Sequence, residues 1–114
     1  MKTHEMRLQA EPYAKIARGE KTVEMRLNDE KRRLLRVGDR IRFVPMQGEG
    51  ALLTRIVALK DFPDFAALYA ACDHRTLGYA PGEPCDPSDM ARYYAPDEIA
   101  RYGTLAITVE LIKP

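Results

Sequence analysis

KTVEMRLN, residues Lys21 to Asn28, is the stretch whose reading decides the fold. Val23, Met25 and Leu27 alternate with Thr22, Glu24, Arg26 and Asn28. A period of two is that of a β-strand, in which successive side chains point to opposite faces. One face of this strand is core. The other sets a hydroxyl, a carboxylate, a guanidinium and an amide in a row.

The flanks extend the pattern. Upstream, HEMRLQ alternates in the same way and predicts a strand with Met6 and Leu8 inward. EPYAKIARG then reads as a helix. Pro12 suits its first turn, Tyr13, Ile16 and Ala17 form its apolar side, and Gly19 can close it in a left-handed cap. Downstream, DEKRRLLR predicts a short helical turn capped by Asp29, and Val37-Gly38-Asp39 a chain reversal. DRIRFVP and ALLTRIVALKDF follow as strands joined by a hairpin loop over Met46 to Gly50. FPDFAALYAAC carries Phe62, Phe65, Leu68, Tyr69 and Cys72 at helical spacing. The Pro- and Gly-rich DHRTLGYAPGEPCDPSD is a loop expected to cover part of the surface. Short helices begin at Asp86 and at Ala95, the second ending at Gly103, and TLAITVELI is a β-branched run expected to be the buried closing strand. Helices scattered among strands, with the first strand able to pair with the last, predict one α+β domain over residues 1–114 built on a small, mostly antiparallel β-barrel.

The composition narrows the function classes. The chain has 114 residues, 46% hydrophobic and 31% charged, enough for one core without disulfide staples. No apolar run is long enough for a membrane span, and the polar N-terminal segment offers no secretion signal. Cys72 and Cys85 form no CxxC pair and no framework, which points to a reducing, cytoplasmic setting. Neither His4 nor His74 completes a ligand set, so no metal is expected, and no P-loop or dinucleotide glycine pattern implies a cofactor. The net charge of +1 hides an asymmetry: residues 1–60 carry a balance of +6 and residues 61–114 one of −5. The basic excess peaks from Lys31 to Arg42. Such a division fits an anionic partner on one side, or a basic half that pairs with the acidic half in the fold.

The run GEKTVEMR from Gly19 to Arg26, together with Asn28-Asp29, Arg33 and Val37-Gly38-Asp39, resembles the ASCH domain (activating signal cointegrator homology), a family of the PUA-like superfamily. The shared pattern is G-x-K-x-x-E-x-R, filled here by Gly19, Lys21, Glu24 and Arg26, followed by the Gly38-Asp39 pair. MARYYAPDEIARYGTLAITVELI is similar to the closing part of small bacterial members. The resemblance implies a six-stranded or similar PUA-like barrel with helices on its ends, and a cleft lined by the motif residues with RNA or a nucleotide as ligand. One branch of similar size hydrolyses N(4)-acetylcytidine and another cleaves RNA. In the amidohydrolase branch the matching lysine works with a threonine and a glutamate, but this sequence has Glu24 where that threonine stands.

Three readings follow. In the first, the chain is an RNA- or nucleotide-binding module. Lys21, Thr22, Glu24 and Arg26 form its cleft, Arg32, Arg33 and Arg36 carry phosphates, and Tyr94 stacks on a base. In the second it is a hydrolase acting on a modified nucleoside or on RNA, with Lys21 and Glu24 as proton handlers. In the third it is a protein-interaction module that uses its charge asymmetry.

Overall fold

The structure, a computed structural model, describes residues 1–112. Five strands and three α-helices follow one another as β1 (Thr3–Leu8), α1 (Ala10–Ala17), β2 (Val23–Leu27), β3 (Arg40–Pro45), β4 (Leu52–Phe62), α2 (Phe65–Ala71), α3 (Pro96–Tyr102) and β5 (Thr104–Leu111). Single 3₁₀ segments, Arg32–Leu34 and Pro87–Arg92, lie between β2 and β3 and between α2 and α3.

The strands form one curled sheet in the order β1-β3-β4-β5-β2, a half-barrel with helices at its periphery. Three of the four pairings are antiparallel. The expected pairing of first strand with last does not occur. β1 instead runs parallel to β3, with Met6 opposite Phe43, and β5 lies between β4 and β2. A parallel pair requires a long crossover, and the α1–β2 segment supplies it. β1 and β2 are therefore the two open edges of the sheet.

Each face of the sheet has its own core. On one, Met6, Leu8, Ile41, Phe43, Ile56, Ile107 and Val109 pack under Ile16 of α1. On the other, Val23, Met25, Leu27 and Ala106 pack against Phe65, Leu68 and Tyr69 of α2 and against Met90. The alternation of β2 thus holds, but its polar row does not face solvent. Glu24 pairs with Ile107 of β5, on the face of the first core, and is only 6% exposed.

Local chemistry explains the element ends. Gly19 closes α1 at φ 77° and Asp29 Oδ1 accepts from the Arg32 amide at 3.0 Å, as the sequence predicts. The untidy pattern of β4 comes from a bulge between Ile56 and Ala58, which turns Val57 out to solvent. The helix expected from Phe62 starts three residues later. Phe62 ends β4, Pro63 follows it, and Asp64 caps α2 by accepting from the Ala67 amide at 2.8 Å. Gly103 joins α3 to β5 at φ 71°, where a Cβ would meet the Phe62 carbonyl oxygen at 2.9 Å. Among the described residues no helix is long and apolar enough to cross a membrane.

Candidate functional site

A cleft of about 890 Å³ opens where the sheet fails to close, at the gap between edge strands β1 and β2. The end of β1 and the start of α1 form one side. β2 lies at its floor, and the loop after α2 and the Pro87–Arg92 segment form the other side.

The floor is a chain of three charges. Lys21 Nζ donates to the carbonyls of Val23 at 2.8 Å and Leu77 at 3.1 Å, and faces Glu24 Oε1 at 3.4 Å. Glu24 Oε2 accepts from Arg26 Nε at 2.8 Å. Arg26 Nη2 then crosses the gap and donates to the Arg7 carbonyl of β1 at 2.8 Å, tying the two open edges together. Lys21 and Glu24 are 5% and 6% exposed. Burial pushes the Lys21 ammonium below the usual lysine range, with Glu24 restoring part of the difference. For Glu24, burial alone would raise the carboxyl. The Lys21 ammonium and the Arg26 guanidinium outweigh it and hold the group below the usual carboxylate range.

The loop after α2 is fastened to this floor. The Thr76 carbonyl accepts from the amides of Thr22 and Val23 at 2.9 and 3.0 Å, and Lys15 Nζ donates to the Gly78 carbonyl at 2.7 Å. The loop carries Tyr79 into the cleft, where its hydroxyl donates to Asp89 Oδ2 at 2.8 Å and lies 2.8 Å from the Tyr69 hydroxyl. With its one proton given to Asp89, Tyr79 accepts from Tyr69. Burial and these hydrogen bonds push the Tyr79 phenol far up, so it stays protonated.

The sequence-predicted residues divide into two groups. Lys21, Glu24, Arg26 and Tyr94 line the cleft. Tyr94 is stacked on Phe65 with ring centroids 5.8 Å apart, and burial raises its phenol. Thr22, Arg32, Arg33 and Arg36 do not line it. Thr22 precedes β2, and its backbone is spent on the Thr76 loop and on β5. Arg33 Nε donates to the Asn28 carbonyl and Arg36 Nη1 to those of Arg33 and Leu35, so both guanidiniums lie along their own turn. Arg32 lies 3.7 Å from Asp29. His4 stands outside the cleft and donates to Asp39 Oδ2 at 2.8 Å. Both cysteines are free and partly buried.

The cleft also holds Arg92, the arginine that precedes the Tyr93-Tyr94 pair, and residues the sequence reading did not single out as functional: Arg7, Lys15, Tyr69, Tyr79 and Asp89. Arg7 was legible only as the polar phase of β1. Tyr79 sits in a loop without periodicity, placed by backbone hydrogen bonds that no local pattern announces, whereas Asp89 lies in the short helix that begins at Asp86, where nothing marked it as facing a cleft.

The ASCH domain family profile matches residues 6–113. The chain belongs to the ASCH domain family. Its fold is shared by solved structures across almost its whole length. The crystal structure of hypothetical protein PH0355 is 28% identical with a TM-score of 0.80, and the match covers 98% of this ASCH domain and 100% of that chain. Protein PF0455 from Pyrococcus furiosus, solved in solution by NMR, is 29% identical with a TM-score of 0.74, covering 98% and 99%. The S128A mutant of ZmASCH from Zymomonas mobilis, at 17% identity and a TM-score of 0.67, shares the fold; the match covers 98% of this ASCH domain and 72% of that chain. No curated protein matches the sequence significantly.

Proposed function

We propose that this ASCH domain binds single-stranded RNA by taking one nucleotide into the cleft between β1 and β2. The observation that carries the reading is the pairing of chemistries on the cleft walls. Arg7 and Arg92 have no carboxylate partner among the described residues, and both stand at a cleft that also presents the rings of Tyr93 and Tyr94. Guanidiniums suit phosphate oxygens, and tyrosine faces suit an unstacked base. Arg26, aimed by Glu24 and the Arg7 carbonyl, keeps Nη1 without a partner among the described residues. Tyr94 and Arg32 continue the path toward Arg33 and Arg36, where flanking phosphates would lie. The two free thiols accord with a reducing cytoplasmic setting.

The hydrolase reading asks Lys21 or Glu24 to move a proton. Each Lys21 Nζ proton has a partner and each Glu24 oxygen faces a cation, so the geometry favours a structural role for both. End-labelled single-stranded RNA, followed by fluorescence polarisation at low and moderate salt and then run on a denaturing gel, tests the proposal. Salt-sensitive binding of intact RNA is expected, with Arg7→Gln and Arg92→Gln each lowering the salt slope by about one. Cleavage by the pure protein would make it a nuclease. Absence of binding would refute the module reading.

A further inference from the structure

Four carboxylates line the cleft: Glu11, Glu24, Glu83 and Asp89. Three are accounted for. Glu11 pairs with Lys15 at 3.0 Å, Glu24 lies between Lys21 and Arg26, and the exposed Glu83 accepts from the Ala80 amide at 2.8 Å within its own loop. Asp89 differs. It is half-buried, and among the described residues no cation pairs with it. Its Oδ2 is held by the Tyr79 hydroxyl, itself fixed by Tyr69, while Oδ1 has no hydrogen-bond partner among the described residues. Tyr69 and Tyr79 meet edge to face with centroids 5.9 Å apart, so the support is rigid in packing as well as in hydrogen bonding. A carboxylate placed this firmly, with one oxygen unspent in a cleft, is an acceptor prepared for a donor.

Resting on the RNA-binding reading above, we propose that Asp89 is a specificity-determining residue that selects nucleobases bearing an exocyclic amino group. With phosphate on Arg7 across the cleft and the base against Tyr93 or Tyr94, the base lies along the Pro87–Arg92 side, the wall that also carries Asp89. The amino group of cytosine or adenine donates to Oδ1. Uracil and hypoxanthine carry a carbonyl oxygen at the same place, which meets the carboxylate as acceptor against acceptor. Uracil keeps its N3–H between two carbonyl oxygens and hypoxanthine its N1–H beside one, so a carboxylate that approaches either N–H meets an adjacent acceptor that repels it. A site with a fixed polar partner rejects an analogue that leaves that partner unmatched.

The test uses the full chain and four soluble probes, CMP, UMP, AMP and IMP, titrated into ¹⁵N-labelled protein while amide shifts are followed. In whichever size class binds, the amino-bearing nucleotide is expected to bind at least about tenfold more tightly than its oxo counterpart. Asp89→Asn keeps the acceptor for Tyr79 and offers an N–H₂ toward the base, so it should bring the ratio to within about twofold. Equal affinity of CMP and UMP, and of AMP and IMP, for the unmodified protein overturns the role of Asp89 while leaving nucleotide binding intact. An unchanged preference in Asp89→Asn also overturns it. Failure of all four probes and of RNA to bind overturns the proposal together with the reading beneath it.

Discussion

Replacing Glu24 by glutamine preserves shape and removes one charge from the most buried ionic group among the described residues. Lys21 is 5% exposed, and two of its three protons rest on neutral carbonyls. Glu24 is the carboxylate that faces it, at 3.4 Å, and it also holds Arg26 at 2.8 Å. Taking away one member of a buried pair leaves its partner's desolvation uncompensated, which costs about 3–5 kcal/mol. For a domain whose total stability is on the order of 5–15 kcal/mol, that is a large fraction. Urea unfolding near neutral pH should therefore show a lower midpoint with the slope unchanged. The loss should also depend on pH. In Glu24→Gln, burial depresses the Lys21 ammonium without a carboxylate to restore it. Between its folded value and the ordinary lysine value the unfolded chain then binds more protons than the folded one, so stability rises with pH. The deficit against the parent should shrink as pH climbs from about 7 toward 10. Lys21→Met in the same background should cost less than the sum of the single changes, with a coupling of about 1–3 kcal/mol. A loss under about 1 kcal/mol, or a deficit that does not move with pH, would refute the view that this ion pair is the cleft's structural floor.

Other changes test neighbouring parts of the account. Gly103→Ala places a Cβ against the Phe62 carbonyl at a φ of 71°, in a conformation reserved for glycine, and should cost about 1–3 kcal/mol by urea unfolding with RNA affinity per folded molecule retained. Asp39 is held below the usual carboxylate range first by the His4 hydrogen bond and then by the Lys2 and Arg36 amides. Its contribution is present above the unfolded carboxyl value and disappears as pH falls through the folded one, so Asp39→Asn should flatten the acid limb of the stability profile below about pH 4. Arg26→Lys removes the fork that joins Glu24 to the Arg7 carbonyl, and should weaken RNA binding by about tenfold while the parent fold persists by circular dichroism. Paired Arg32→Glu and Arg33→Glu should lower the salt slope of RNA binding, and an unchanged slope would remove that turn from the phosphate path.

The fold and the site were unequally legible in the sequence. Alternation in residues 23–27 marks β2 because both phases are chemically distinct, and Gly19 and Asp29 announce the ends of their elements through conformation and hydrogen bonding alone. The bulge at Val57 blurs β4, since one extra residue inverts the phase of everything after it. The partner of β1 was misread because pairing is decided by a crossover, not by the strand's own pattern. At the site, Lys21, Glu24 and Arg26 were visible as a motif on one strand, and Tyr94 as an aromatic beside arginine. The motif did not reveal that Lys21 is covered by the Leu77 carbonyl, which makes it a fixed buried cation instead of a surface contact. Tyr79 was silent because the loop that brings it in is set by the Thr76 and Gly78 carbonyls, whose partners lie more than fifty residues upstream, and Asp89 was read only as part of the short helix that begins at Asp86. The arginines from Arg32 to Arg36 dominated the charge count, but hydrogen bonds to nearby carbonyls lay Arg33 and Arg36 along their own turn and Arg32 faces Asp29.

The most direct measurement maps a short single-stranded RNA onto the protein by amide chemical shifts. The largest changes are expected around the cleft, at Met25, Arg26, Gly78, Tyr79, Arg92 and Tyr94, with smaller ones running out to Arg32. Changes confined to the basic faces of β3 and the Arg32–Arg36 turn, with the cleft amides unmoved, would contradict binding in the cleft.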